Sequence, residues 1–114
     1  MDFGAWGEEV ACRHLKRKGY EILERNFRCR SGELDIVARM GKTLCFVEVK
    51  SRKSLTAGLP SEAVTPEKQR HLKRAALFYL YSHPEHGTEL LRMDVIEILN
   101  VKEKTYLRHI ENAF

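Results

Sequence analysis

Apolar and polar positions alternate with two different periods along this chain, and the change of period marks its elements. Phe3, Trp6, Gly7, Val10, Ala11, His14 and Leu15 recur at spacings of three and four. That spacing predicts an amphipathic helix over Phe3–Lys18, capped by Asp2 and closed by Gly19. Tyr20–Phe27 reads as a strand whose charges suit a sheet edge. Leu34–Met40 and Thr43–Val49 are rich in β-branched and aromatic residues and flank Gly41-Lys42, which predicts a β-hairpin. Thr65-Pro66 supplies a cap and a first-turn proline for a second helix, with apolar positions at Leu72, Ala75, Ala76, Tyr79 and Leu80 and an end before Pro84. Leu90–Leu99 and Thr105–Ile110 read as strands joined by a polar turn at Asn100–Lys104, and Ala113-Phe114 is expected to dock on the body. Helix, three strands, helix, two strands in one domain over 1–114 imply an α/β fold, a central mixed β-sheet flanked by helices.

Three charges interrupt the hairpin pattern: Asp35 in the first run, Glu48 and Lys50 in the second. Strand side chains alternate, so Glu48 and Lys50 share a face about 6.6 Å apart. Burying such groups without partners is costly. Either the charges neutralise one another, or they hold a ligand. Mg²⁺ needs only one or two carboxylates plus waters and a substrate phosphate, and a lysine beside them suits the phosphate. Asp94, set among apolar neighbours, reads instead as the partner of a buried basic group.

Other charges admit two readings each. Gly4 and Gly7 cost a helix about 1 kcal/mol apiece and permit a close approach by backbone or ligand. Glu8 next to them is either a solvated helix residue or part of a site, and Glu9 lies on a more exposed flank. Arg28 and Arg30 in the basic turn before Gly32 are solvated charges or phosphate contacts. The connection Arg52–Val64, which opens with Arg52 and Lys53 and contains Gly58 and Pro60, is either a mobile binding segment or a plain link. Lys68, Arg70, Lys73 and Arg74 oppose the dipole of the second helix, which favours a role in anion binding.

A net charge of +4 and a pI near 9.1 are compatible with a polyanionic partner without demanding one. Three cysteines without a CxxC pair, and an opening that lacks the pattern of a secretory leader, lead to the expectation of reduced thiols in the cytoplasm. Cys45, inside an apolar run, reads as core. No apolar run reaches the ~20 residues of a membrane span. His83-Pro84-Glu85-His86 reads as a surface turn, and His14, His71 and His109 lack zinc-site spacing.

The Gly4-x-x-Gly7-Glu8 opening, the Gly32-Glu33-Leu34-Asp35-Ile36-Val37 strand and Phe46-Val47-Glu48-Val49-Lys50-Ser51-Arg52 resemble the YraN-like family of small bacterial proteins. Lys68-Gln69-Arg70, Met93-Asp94-Val95 and His109-Ile110…Ala113-Phe114 extend the resemblance to the end of the chain. That family is similar to archaeal Holliday junction resolvases and to the wider PD-(D/E)xK nucleases. The resemblance implies a restriction-endonuclease-like, three-layer α-β-α fold. It further implies Asp35, Glu48 and Glu8 as ligands of Mg²⁺ or Mn²⁺, Lys50 as the catalytic lysine and Gln69 as an orienting residue. Glu33 is either a further ligand or a partner for an arginine. The proline found before the aspartate in many of these nucleases is Leu34 here. The expected activity is metal-dependent hydrolysis of DNA, branched DNA included, by a homodimer. The competing expectation is a non-catalytic nucleic-acid-binding module serving recombination, repair or uptake. A purely structural set of ion pairs is the third, and buried pairs contribute too little net stability to account for it.

Overall fold

A computed structural model describes residues 2–53, 64–87 and 89–114. Helix α1 spans Phe3–Arg17; the Asp2 carboxylate accepts from the Ala5 N–H at 2.7 Å, and Gly19 at φ +96° ends the turn as expected. Strands β1 (Glu21–Cys29), β2 (Gly32–Met40) and β3 (Thr43–Arg52) follow, then α2 (Pro66–Ser82), a short 3₁₀ turn at Pro84–His86, β4 (Leu90–Val101) and β5 (Lys104–Ile110). Thr65 caps α2 by accepting from the Lys68 N–H.

The five strands lie in chain order across one sheet, with β3 and β4 parallel and every other pair antiparallel. Helix α2 makes the crossover that a parallel pair requires. Ala11, Cys12 and Leu15 of α1 pack on Ile36, Ala38, Cys45 and Val47 of one face. Leu72, Ala75, Ala76 and Tyr79 of α2 pack on Leu34, Val37, Leu44 and Phe46 of the other. This is the expected three-layer arrangement. A strand covered on both faces cannot alternate in polarity, which is why Leu44 to Val47 reads as a continuous apolar run and Cys45 is fully buried. β1 lies at an edge, and Phe114 packs on the α2-side core while the Ala113 N–H donates to the Met93 carbonyl.

Three expectations change. β4 and β5 stay paired out to Val101↔Lys104, so the turn is only Lys102-Glu103, both left-handed at φ 51° and 65°. That conformation matches strand twist, and ladder pairing overrides the polarity of Asn100 and Lys104. His86 is buried and hydrogen-bonded to Glu89 at 2.9 Å, so the turn at Pro84 is not wholly a surface feature. Arg52 ends β3 rather than opening a loop; residues 54–63 of the expected binding segment, with Gly58 and Pro60, lie outside the described residues.

The two helical glycines separate in role. A Cβ on Gly7 would meet Ser51 Oγ at 2.8 Å and Ser51 Cβ at 3.1 Å, whereas one on Gly4 would find only Asp2 Oδ1 at 3.5 Å. Gly7 therefore lets α1 close onto β3 beside Glu8. Gly4→Ala should raise stability by about 1 kcal/mol through helix propensity. Gly7→Ala should lower it by about 1 kcal/mol, the overpacking exceeding the same gain. Urea unfolding of both variants reads the opposite signs.

Candidate active site

The site forms where β2 and β3 part. Their ladder runs from Met40↔Thr43 to Ile36↔Val47 and stops. At the next step the Val49 N–H donates not to a backbone carbonyl but to Asp35 Oδ2, at 2.8 Å. Leu34 faces the α2 layer and Ile36 the α1 layer, although residues two apart on a regular strand share a face. The facing of β2 thus reverses across Asp35. Opposite, between the pairs Arg25↔Ile36 and Phe27↔Leu34, Asn26 is left-handed at φ 56°. Irregularities of this kind re-aim a side chain, and here they turn a carboxylate into the gap between central strands.

Glu48, buried on β3, and Lys50 lie on the α2 side as alternation requires, with Lys50 Nζ 3.0 Å from Glu48 Oε1. An open cavity of about 490 Å³ reaches Glu48, lined also by Glu33 and Asp35 from the strands and by Thr65, Lys68 and His71 at the start of α2. Burial, then the neighbouring Glu48 carboxylate, pushes the Asp35 carboxyl up to about 7, against the Val49 hydrogen bond; Glu8 adds to the push. Burial likewise raises Glu8, which a hydrogen bond from the Asn26 side chain partly offsets. The Lys68 amine contacts Lys50 and is held below the ordinary lysine range by that neighbour and by burial. Burial works against the Lys50 ammonium too, but its contact with Lys68 and the Glu48 and Asp35 carboxylates keep its pKa raised. Asp35, Glu48 and Lys68 therefore border one opening, with Lys50 joined to it through Glu48 and the Glu8 charge felt from α1.

The residues singled out in the sequence divide between this opening and the surface. Asp35, Glu48 and Lys50 come together, and Glu8 stays on α1, outside the cavity lining, where its charge still acts on Asp35. Glu33 lines the cavity and pairs with Arg28 at 3.3 Å, so it is also an arginine partner. Gln69 points elsewhere: its amide donates to the Val64 carbonyl at 3.2 Å. Arg28 and Arg30 are exposed at the mouth-side turn, and Lys53 lies over the Phe3 ring at 5.0 Å. Arg70, Lys73 and Arg74 are exposed along α2, whereas Lys68 is half-buried in the site itself. The clue to Lys68 lay in its spacing: with Leu72, Ala75 and Tyr79 it extends the buried stripe of α2 by one turn. Glu9 pairs with Arg13 and Arg25 on the outer flank.

Among the described residues no group of three or more Asp, Glu, His or Cys side chains is gathered closely enough to cage an ion alone. Mg²⁺ asks for less: one or two hard carboxylates and several waters. Asp35 and Glu48 meet that requirement in chemistry; the Asp35 pKa is raised first by burial and then by the Glu48 charge, and a cation would offset both.

A mixed sheet between two helices, with carboxylates and lysines gathered where its central strands part, defines an α-β-α protein with a candidate ion and phosphate site. The chain belongs to the uncharacterised protein family UPF0102, whose family model matches residues 7–98; the resemblance read from the sequence is to this same family. It is 50% identical over 113 residues to a UPF0102 protein of Syntrophomonas wolfei, covering 99% of this chain and 97% of the relative. A UPF0102 protein of Geobacter metallireducens is 50% identical over 97% of this chain and 90% of its own length. One of Myxococcus xanthus is 42% identical, covering 99% and 89%. No described helix is long and apolar enough to cross a membrane.

Proposed function

We propose that this protein is a Mg²⁺- or Mn²⁺-dependent nuclease that hydrolyses DNA phosphodiester bonds. The observation that carries the proposal is the re-aimed Asp35 carboxylate beside Glu48 in an open cavity, with Lys50 paired to Glu48 at 3.0 Å. Asp35 and Glu48 would hold the cation, with the Glu8 charge adding to the site from α1. The bound ion supplies charge neutralisation at phosphorus and an acidified water. Lys50 donates to the attacking water or to the phosphoryl oxygens as their charge grows. Lys68 sits beside it at the first turn of α2, where backbone N–H groups favour a phosphate. Arg28, Arg30, Arg70 and Lys73 contact flanking phosphates.

The test is incubation of the purified protein with Mn²⁺ and labelled linear duplex, single-stranded and four-way-junction DNA. Cleavage of at least one substrate is expected, lost more than a hundredfold in Lys50→Ala or Glu48→Gln while the fold survives. Normal cleavage by both variants would overturn the site. Tight binding with no cleavage under any divalent ion would favour the binding-module reading instead.

A further inference from the structure

Glu67, His71, Arg74, Phe78 and Tyr81 follow one another at spacings of four, three, four and three, so they form a single line along α2. Glu67 and His71 border the candidate site. Arg74, Phe78 and Tyr81 border a second open groove of about 460 Å³, and Ser31 borders both. The groove therefore adjoins the site at Ser31. Its walls are unusual for a helix surface: Phe78 is 46% exposed, Leu77 63% and Tyr81 92%. The core does not need these rings, because Tyr79 already fills that role between Phe27 and Phe46.

We propose that this groove holds unpaired nucleobases, stacked on Phe78 and Tyr81, of the strand whose phosphate occupies the candidate site. The inference rests on the nuclease reading for the placement of that phosphate. Ten residues separate Lys68 from Phe78, about 15 Å of helix or the length of about four stacked nucleotides at ~3.4 Å each. Aromatic faces with an interleaved arginine are the chemistry that grips a single strand, since every base offers a π-face and every nucleotide a phosphate. A second copy of this chain fits less well. An isologous contact through this groove would bury the Arg74 guanidinium of both copies, with Arg70 and Lys73 exposed on the same helix, and so concentrate like charge at the seam.

The experiment measures binding without cleavage. Oligonucleotides carrying 2-aminopurine are titrated with the whole protein in Ca²⁺, either as a single strand or annealed into full duplex. Stacking should change the probe's fluorescence in the single strand. Phe78→Ala with Tyr81→Ala should weaken single-strand affinity by about tenfold or more and leave duplex affinity unchanged. Phe78→Tyr with Tyr81→Phe should restore single-strand binding. Tyr81 is almost wholly exposed and Phe78 about half so, and the fold should survive both truncations, checked by circular dichroism. Unchanged single-strand affinity in the alanine pair, equal loss for both DNA forms, no binding of either, or a wild-type dimer that the alanine pair converts to monomer would each overturn the proposal. Ring-dependent binding by a protein that cuts nothing would support this groove and count against the nuclease reading alone.

Discussion

Asp35→Asn should make the ion-free protein more stable at pH 8, by about 2–4 kcal/mol, although the residue lies at the centre of the site. The carboxyl is moved from its ordinary 3.8 to about 7 by burial and by the Glu48 carboxylate. At ~1.36 kcal/mol per pH unit, that shift is worth about 4 kcal/mol, and contact with the open cavity reduces it. The sign follows from proton linkage. The folded state holds the Asp35 proton more tightly than the unfolded chain, so this group favours folding fully below about pH 4. That contribution is lost as pH rises through about 7, where the folded protein must carry an unwelcome charge. Asparagine carries none, and its carbonyl oxygen can still accept from the Val49 N–H. Urea unfolding at pH 4, 6 and 8 should show the two proteins close at pH 4 and increasingly separated above it. A variant less stable at pH 8, or a difference independent of pH, would contradict this origin of the shift. Sites kept for function at the expense of stability behave this way.

Asp94→Ala should cost about 3–5 kcal/mol at neutral pH and leave the candidate site intact. Asp94 is fully buried and accepts from Arg92 Nε at 2.9 Å and Nη2 at 3.0 Å, and from the Asn112 N–H at 3.0 Å. His109 Nε2 lies 2.7 Å from Asp94 Oδ2, the oxygen that also accepts from Arg92 Nη2. Arg92 also donates to the Tyr20 hydroxyl, so one carboxylate ties α1's end, β4, β5 and the C-terminus together. Removing it leaves the mostly buried Arg92 guanidinium with the exposed Glu111 carboxylate, 3.6 Å away, as its charged partner, and breaking a buried pair from one side is the expensive way to break it. Burial alone would raise the Asp94 pKa, but the bonds from His109, Arg92 and Asn112 outweigh it and hold it below the ordinary value. Its stabilisation is therefore present above about pH 4 and fades in stronger acid, the reverse of Asp35. Denaturant unfolding at pH 7 reads the loss; a change below 1 kcal/mol would mean that the cluster contributes little.

What the sequence revealed and concealed follows the range of the interactions involved. The caps at Asp2 and Thr65, the turn at Gly41 and the shared face of Glu48 and Lys50 follow from rules that act within four residues, and all were legible. Gly7 was legible as a close approach, though not its partner Ser51, which lies on another element. Strand alternation could not foretell the reversal across Asp35, because it depends on Asn26 of a neighbouring strand adopting a left-handed conformation. Lys68 was readable as basic, but its burial against Lys50 depends on where α2 docks. His86 was concealed for a similar reason: its burial is set by contacts with Tyr79 and Glu89.

Calorimetric titration of Mn²⁺ into the wild-type protein, run at pH 6 and at pH 9 in buffers of different ionisation enthalpy, reports ion binding and the accompanying proton release together. At pH 6 the Asp35 carboxyl holds a proton, which an incoming cation must displace. Binding with about one proton released per ion at pH 6, little release at pH 9 and no binding in Asp35→Asn is the expected result. Absence of Mn²⁺ binding, or binding that survives Asp35→Asn unchanged, would contradict the cation site on which the nuclease proposal depends.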